Sequence, residues 1–143
     1  TDAELRRNPT VKSELDDIKK LAEETRDSVP VPTYHREGRV SFSGPLTALE
    51  RMAEQVTAAV CARSCLLSIA RTLSKWVQWA EERTDCRELL LVGGVASNRL
   101  IRQELVERLP QWRLFFAQPK YSTDNAYGAA YYCALREGCA LSR

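Results

Sequence analysis

Histidine is nearly absent from this 143-residue chain, which carries His35 and no other. A single histidine excludes the His-Glu-x-x-His arrangement of zinc peptidases. It also excludes any Ser-His-Asp or Cys-His apparatus not built on His35. His35 itself lies in a polar, proline-rich stretch and reads as a surface residue. No two cysteines form a CxxC pair, and the spacings among Cys61, Cys65, Cys86, Cys133 and Cys139 match no common zinc ligand set. Cys61, Cys65 and Cys133 sit in apolar helical runs, so the reading is reduced thiols in a cytoplasmic protein. No apolar run approaches the roughly 20 residues that span a bilayer. The opening TDAELRRNPT carries no signal-peptide pattern. Charge of one sign is lacking too: 21 basic residues against 19 acidic leave +2, too little to argue for a nucleic-acid or membrane surface on electrostatics alone. Methionine occurs once, as Met52, while the chain opens on Thr1, so a longer parent protein is expected.

The 44% hydrophobic and 28% charged residues are ordinary for a globular chain, and the length suits one domain or the larger part of one. Asn8-Pro9 is a helix start, followed by Val11, Leu15, Ile18, Leu21 and Ala22 at helical spacing. That helix is expected to end near Ser28, ahead of Pro30 and Pro32. Pro30 to Gly38 reads as an extended connector, and Arg39 to Ser43 as a short strand with Val40 and Phe42 on one face. From Leu46 to Arg83 there is neither glycine nor proline. One helix of that length would reach about 56 Å, so a break is expected near Ala53–Thr57. The second piece carries Val60, Leu67, Ile69, Leu73, Trp76 and Val77 and should be a central helix.

Glu88 to Val92 is a continuous apolar strand of the kind buried on both faces. Gly93-Gly94 makes a turn, and Ser97 or Asn98 starts a helix that runs to Leu109 and ends before Pro110. Arg113 to Ala117 is a second apolar strand, and Ala126 to Arg136 a last helix with Gly138 at its cap. Strand, helix, strand, helix implies adjacent parallel strands with a helical crossover. With the strand at Arg39 the sheet has three strands, thin enough that further strands are expected to pair with it in the intact protein.

Three segments could carry chemistry. The Gly93–Asn98 turn allows close backbone approach and offers a helix N-terminus to an anion, although a plain tight turn has the same appearance. It is not GxGxxG, so a dinucleotide-binding reading has little support. Ser122-Thr123-Asp124-Asn125 also opens a helix after a strand, where ligands of open α/β sheets bind, and Asp124 is equally a helix cap. Ser41-Phe42-Ser43-Gly44 reads by itself as a strand end and a cap before Pro45.

Taken together and in this order, LVGGVASNRLIRQEL, FAQPKYSTDNAYGAAYY and the upstream VSFSGPLTALERM resemble the TsaD/Kae/Qri family. These are tRNA threonylcarbamoyladenosine synthases, also labelled glycoprotease or peptidase M22. The resemblance covers roughly residues 39 to 137. It implies an α/β fold, the second lobe of an actin-like ATPase, with residues 1–38 as a helix and extended connector and 39–143 as the lobe. It implies that Gly93, Gly94 and Asn98 grip an adenine nucleotide, with Ser43 and Gly44 facing the interlobe cleft. It implies that Asp124 supplies one ligand to a divalent iron or zinc ion, whose two histidine ligands belong to a first lobe outside this chain. The implied partners are threonylcarbamoyl-AMP or ATP, tRNA, and proteins resembling TsaB and TsaE, with no membrane. This chain alone is then expected to be inactive. Ser122, Pro45 and Tyr127-Gly128 depart from the family pattern and point to a TsaD-like bacterial branch. A small-molecule kinase or ATPase of the same superfamily and a non-catalytic scaffold are the alternatives. A protease has the least support, because no nucleophile–base pair or two-histidine motif is present.

Overall fold

The computed structural model describes residues 9–118, with side chains from Asp16 onward. The Ser122–Asn125 segment, Cys133, Cys139 and the helix expected over Ala126–Arg136 lie outside the described residues. In chain order the elements are α1 (Pro9–Glu23), β1 (Tyr34–Arg36), β2 (Arg39–Ser41), α2 (Ser43–Ala53), α3 (Ala58–Glu81), β3 (Glu88–Leu91), a 3-10 turn (Val95–Ser97), α4 (Arg99–Arg108) and β4 (Arg113–Phe116).

The long glycine- and proline-free stretch breaks where length required it to. α2 stops at Ala53, and Thr57 restarts the chain with an extended backbone, its side chain accepting the Val60 amide. α3 is the central helix, packing most extensively against α1 and α4 and also touching α2, β1 and β2. Its Ala62, Leu66 and Ala70 lie at i, i+4 and i+8 and face Ile101, Leu105 and Leu109 of the α4 segment, in the same spacing. Ala22 of α1 closes this cluster, and Leu91, Leu114 and Phe116 of the parallel strands pack on it.

A second buried stripe of α3 consists of hydroxyl residues, Ser64, Ser68 and Thr72. Each donates to a carbonyl of its own helix: Ser64 to Val60 at 2.7 Å, Ser68 to Cys65 at 2.8 Å, Thr72 to Ser68 at 2.8 Å. With the hydroxyls satisfied locally, these positions behave as small side chains and neighbouring backbone can come close. Ser64 Oγ also accepts the Val29 amide at 2.9 Å. Trp76, expected among the apolar positions of this helix, is 43% exposed instead.

Other expectations need correction. α1 ends at Glu23, five residues before Ser28. The Asp27 amide turns back to Thr25 Oγ1, and Arg63 Nη1 donates to the Ala22 carbonyl, so the last turn is satisfied early. The chain then extends and buries Val31. The strand at Arg39 does not join the parallel sheet. β2 stops at Ser41 and pairs antiparallel with β1, which forms inside the expected connector. Among the described residues two separate two-stranded sheets result. Glu37 and Gly38, the two turn residues, both have positive φ, 51° and 77°, the sign pattern of a type I′ hairpin.

β3 and β4 pair in parallel in the register Glu88–Arg113 to Leu91–Phe116. Leu91, Leu114 and Phe116 face the core, whereas Leu90 is 64% exposed and Phe115 is exposed as well. The expectation of burial on both faces is thus met on one face only, since among the described residues no element covers the other.

Cys61 and Cys65 are half-buried on α3 and Cys86 is exposed. Burial, with a smaller effect of Cys61 nearby, pushes the Cys65 thiol up from its ordinary value. Less of it is then thiolate at mildly alkaline pH, and thiolate is the reactive form. Iodoacetamide at pH 8 should alkylate Cys86 well before Cys65. Peptide mass mapping over time checks this, and equal rates at the two positions would contradict the packing of α3.

Candidate functional site at the turn after β3

The chain leaves β3 through Val92 and enters Gly93 at φ 102°, a backbone region open to glycine and strained for other residues. Gly94 is different, with φ −60° and ψ −37°, a conformation any residue adopts. A Cβ placed on either glycine meets no atom within 4 Å. Among the described residues, therefore, none fills the space above either glycine. Ser97 Oγ donates to the Gly94 carbonyl at 2.6 Å, which tightens the 3-10 turn.

Asn98 is the N-cap of α4, its Oδ1 accepting the Ile101 amide at 3.2 Å, and only 7% of the residue is exposed. The capping role is thereby observed for Oδ1. No hydrogen bond from Nδ2 is found among the described residues, which leaves a donor at the edge of the turn. Three of the expected nucleotide contacts, Gly93, Gly94 and Asn98, thus share one turn at the carboxyl end of a parallel strand.

Ser43 and Gly44 are placed elsewhere. Ser43 is the first residue of α2, its Oγ 2.9 Å from Ser41 Oγ and its carbonyl accepting from Thr47 Oγ1. α2 starts without a side-chain cap, so Ser43 is a helical residue and not the cap. Gly44 has open space where a Cβ would stand. The packing of α2 is against α3, and among the described residues no hydrogen bond joins Ser43 or Gly44 to the Gly93–Asn98 turn. Asp124 lies outside the described residues. Among the described residues no group of three or more His, Cys, Asp or Glu side chains is arranged to hold a metal ion.

Two arginines at this site escaped the motif reading. Arg99 and Arg102 occupy the first turn of α4, which contains no acidic residue. Cations there oppose the helix dipole, whose positive end favours anions. Arg99 is exposed with no partner among the described residues. Arg102 turns back over the site: Nε donates to the Ala96 carbonyl at 2.7 Å and Nη2 to the Ala117 carbonyl at 3.0 Å. The sequence signal for both was the unfavourable placement itself, two cations where Asp or Glu is usual.

His35 is half-buried rather than a free surface residue. Its ring meets Trp79 edge-on, with centroids 6.0 Å apart, and its Nε2 is buried without a partner among the described residues. Two grooves among the described residues lie away from the glycine turn. One, of about 640 Å³, is lined by Thr33, Arg71, Ser74, Lys75 and Arg108 among others. No helix among the described residues is long and apolar enough to cross a membrane.

Comparison with known structures places this architecture. The crystal structure of T. kodakarensis HypF matches with a TM-score of 0.67 and 20% identity, over 85% of this chain and 17% of that one. At that identity the likeness is one of fold, and the chain spans about a sixth of HypF. The fold is α/β, of the actin-like ATPase type, with a small parallel sheet packed by helices. The model of the family TsaD, tRNA N6-adenosine threonylcarbamoyltransferase, matches residues 6–131. A match over that much of the chain makes this protein a member of the TsaD family.

Proposed function

We propose that residues 39–143 are the nucleotide-gripping lobe of a tRNA threonylcarbamoyladenosine synthase-like protein, with residues 1–38 as its helix and connector. The observation that carries the reading is the Gly93–Asn98 turn: among the described residues nothing covers either glycine, at the carboxyl end of a parallel strand, beside a cationic first helical turn. A phosphate or ribose of threonylcarbamoyl-AMP or ATP would lie over Gly93 and Gly94. Asn98 Nδ2 would donate to an adenine ring nitrogen while Oδ1 keeps the helix capped. Arg99 and the start of α4 would offset the anionic charge. Ser43 and Gly44 would approach the nucleotide from another side of the cleft.

In this reading Asp124 is the chain's contribution to a divalent iron or zinc site. Among the described residues no side chains form such a site by themselves. The tRNA adenosine and partner proteins resembling TsaB and TsaE belong to the intact assembly, and this chain alone is expected to transfer no threonylcarbamoyl group.

The test is calorimetric titration of the intact protein with ATP. Gly94→Val should lower affinity at least tenfold while leaving the melting temperature near wild type, because its backbone is unstrained and its Cβ meets no atom of the described residues. Asn98→Asp keeps a side-chain cap of equal quality and removes the Nδ2 donor. It should weaken binding by about 1–3 kcal/mol, the cost of an unpaired polar contact. Unchanged affinity in both folded variants would reduce the segment to an ordinary strand-to-helix turn.

A further inference from the structure

The two segments that leave the carboxyl ends of β3 and β4 are held by one side chain. Arg102 reaches the Ala96 carbonyl in the turn after β3 and the Ala117 carbonyl just after β4. Its guanidinium also lies 4.9 Å from the centre of the Phe116 ring. Nε–H and one Nη2–H run parallel along one edge of the planar group, so two acceptors on that edge are held at a fixed separation. The last ladder contact, Ala117 amide to Leu91 carbonyl at 3.0 Å, also ties these two exits.

We infer that Arg102 is a positioning residue, a strut that fixes the turn carrying Gly93, Gly94 and Asn98 relative to the segment following β4. This rests on the nucleotide reading of that turn. Among the described residues no hydrogen bond joins the Arg102 side chain to either glycine or to the Asn98 side chain; it acts on them through the Ala96 carbonyl. The arrangement accounts for an arginine in the first turn of α4, where the dipole disfavours it, since two backbone carbonyls and an aromatic face compensate the charge. Lysine keeps the charge but offers a flexible point donor in place of the fork, so Arg102→Lys separates geometry from electrostatics.

The experiment uses the intact protein, wild type and the variants Arg102→Lys and Arg102→Gln. Hydrogen exchange is followed by mass spectrometry without nucleotide, and ATP binding by calorimetry. Both variants should exchange faster in two separate peptides at once, one covering residues 93–98 and one covering 114–118. Both should bind ATP at least tenfold more weakly, with apo melting temperatures within a few degrees of wild type. A misplacement of about 1 Å can have a hundredfold effect on a reaction, so a tenfold loss is a modest demand. Loss of binding in Arg102→Gln with full binding in Arg102→Lys would overturn the proposal in favour of direct charge attraction. Faster exchange confined to α4, with ATP affinity intact, would overturn it in favour of a purely structural role. If Arg102→Gln does not fold, Arg102→Lys alone decides between these outcomes. Failure of wild type to bind ATP would sink the nucleotide reading and the strut with it. Tight wild-type binding that is lost in Gly94→Val and kept in Arg102→Lys would sink the strut alone.

Discussion

Truncation of Leu105 to alanine is expected to lower the unfolding free energy by about 3–5 kcal/mol, the upper part of the range for buried leucines. Leu105 is 0% exposed and Ile101, one turn before it, is 1% exposed. Both lie in the cluster formed by α3, α4, Ala22 and the inner face of the β3–β4 sheet. Much of the facing surface is alanine, at Ala22, Ala62 and Ala70, and alanine has no side-chain freedom with which to close a void. The cavity term therefore adds to the lost transfer energy of the removed methyl groups. Because small domains are stable by only about 5–15 kcal/mol, such a loss consumes a large share of the total. Val106, the next residue, is 54% exposed, and Val106→Ala should stay within about 0.5 kcal/mol. Urea unfolding of the two variants makes the comparison. Equal midpoints would mean that α4 does not pack as described.

Replacement of Gly38 by valine is expected to cost about 2–5 kcal/mol, from two sources. The positive φ of 77° disfavours any side chain by roughly 1–2 kcal/mol. A Cβ there would also stand 2.5 Å from Trp79 Cη2, 2.8 Å from Cζ2 and 2.9 Å from Cζ3, an overpacking that adds about 1–3 kcal/mol. The indole cannot easily move aside. Arg83 stacks 4.2 Å from its centre, donates to its backbone carbonyl, and His35 meets its edge. The hairpin is thus seated on α3 through one aromatic ring and a glycine that lets it approach. Thermal unfolding followed by near-ultraviolet circular dichroism reads the effect. The same change in a Trp79→Leu background should cost only the backbone part. A full cost that persists without the indole would show that the clash contributes nothing. Gly94→Ala, with ordinary φ and open space, serves as the neutral reference.

The short-range features of this protein are legible in its residues. Pro9 starts α1, Thr57 caps α3, Asn98 caps α4, and the chain leaves α4 at Leu109 ahead of Pro110. Each follows from backbone groups within four or five positions of the residue concerned, so local sequence suffices to fix it. The glycine pair between an apolar strand and a helix is of the same kind, and with the SFSG segment it pointed to the family that the residue 6–131 match establishes.

What the sequence left open depends on which surfaces meet. β2 had an apolar alternation suited to several partners, and a Glu37-Gly38 turn, lacking the usual Asn-Gly signal, delivered it to β1. Ser64, Ser68 and Thr72 are polar by type yet line the interior, because their hydroxyls bond within α3 and leave only small volumes to pack. Trp76 is apolar by type yet exposed, because the burial of α3 follows the faces that α1 and α4 cover. Arg102 joins carbonyls six and fifteen residues away, a role that exists only once β3 and β4 lie side by side. Local chemistry chose the elements. The pairing of their surfaces, a matter of shape and of satisfied backbone groups far apart in the chain, decided which residues stand at the site.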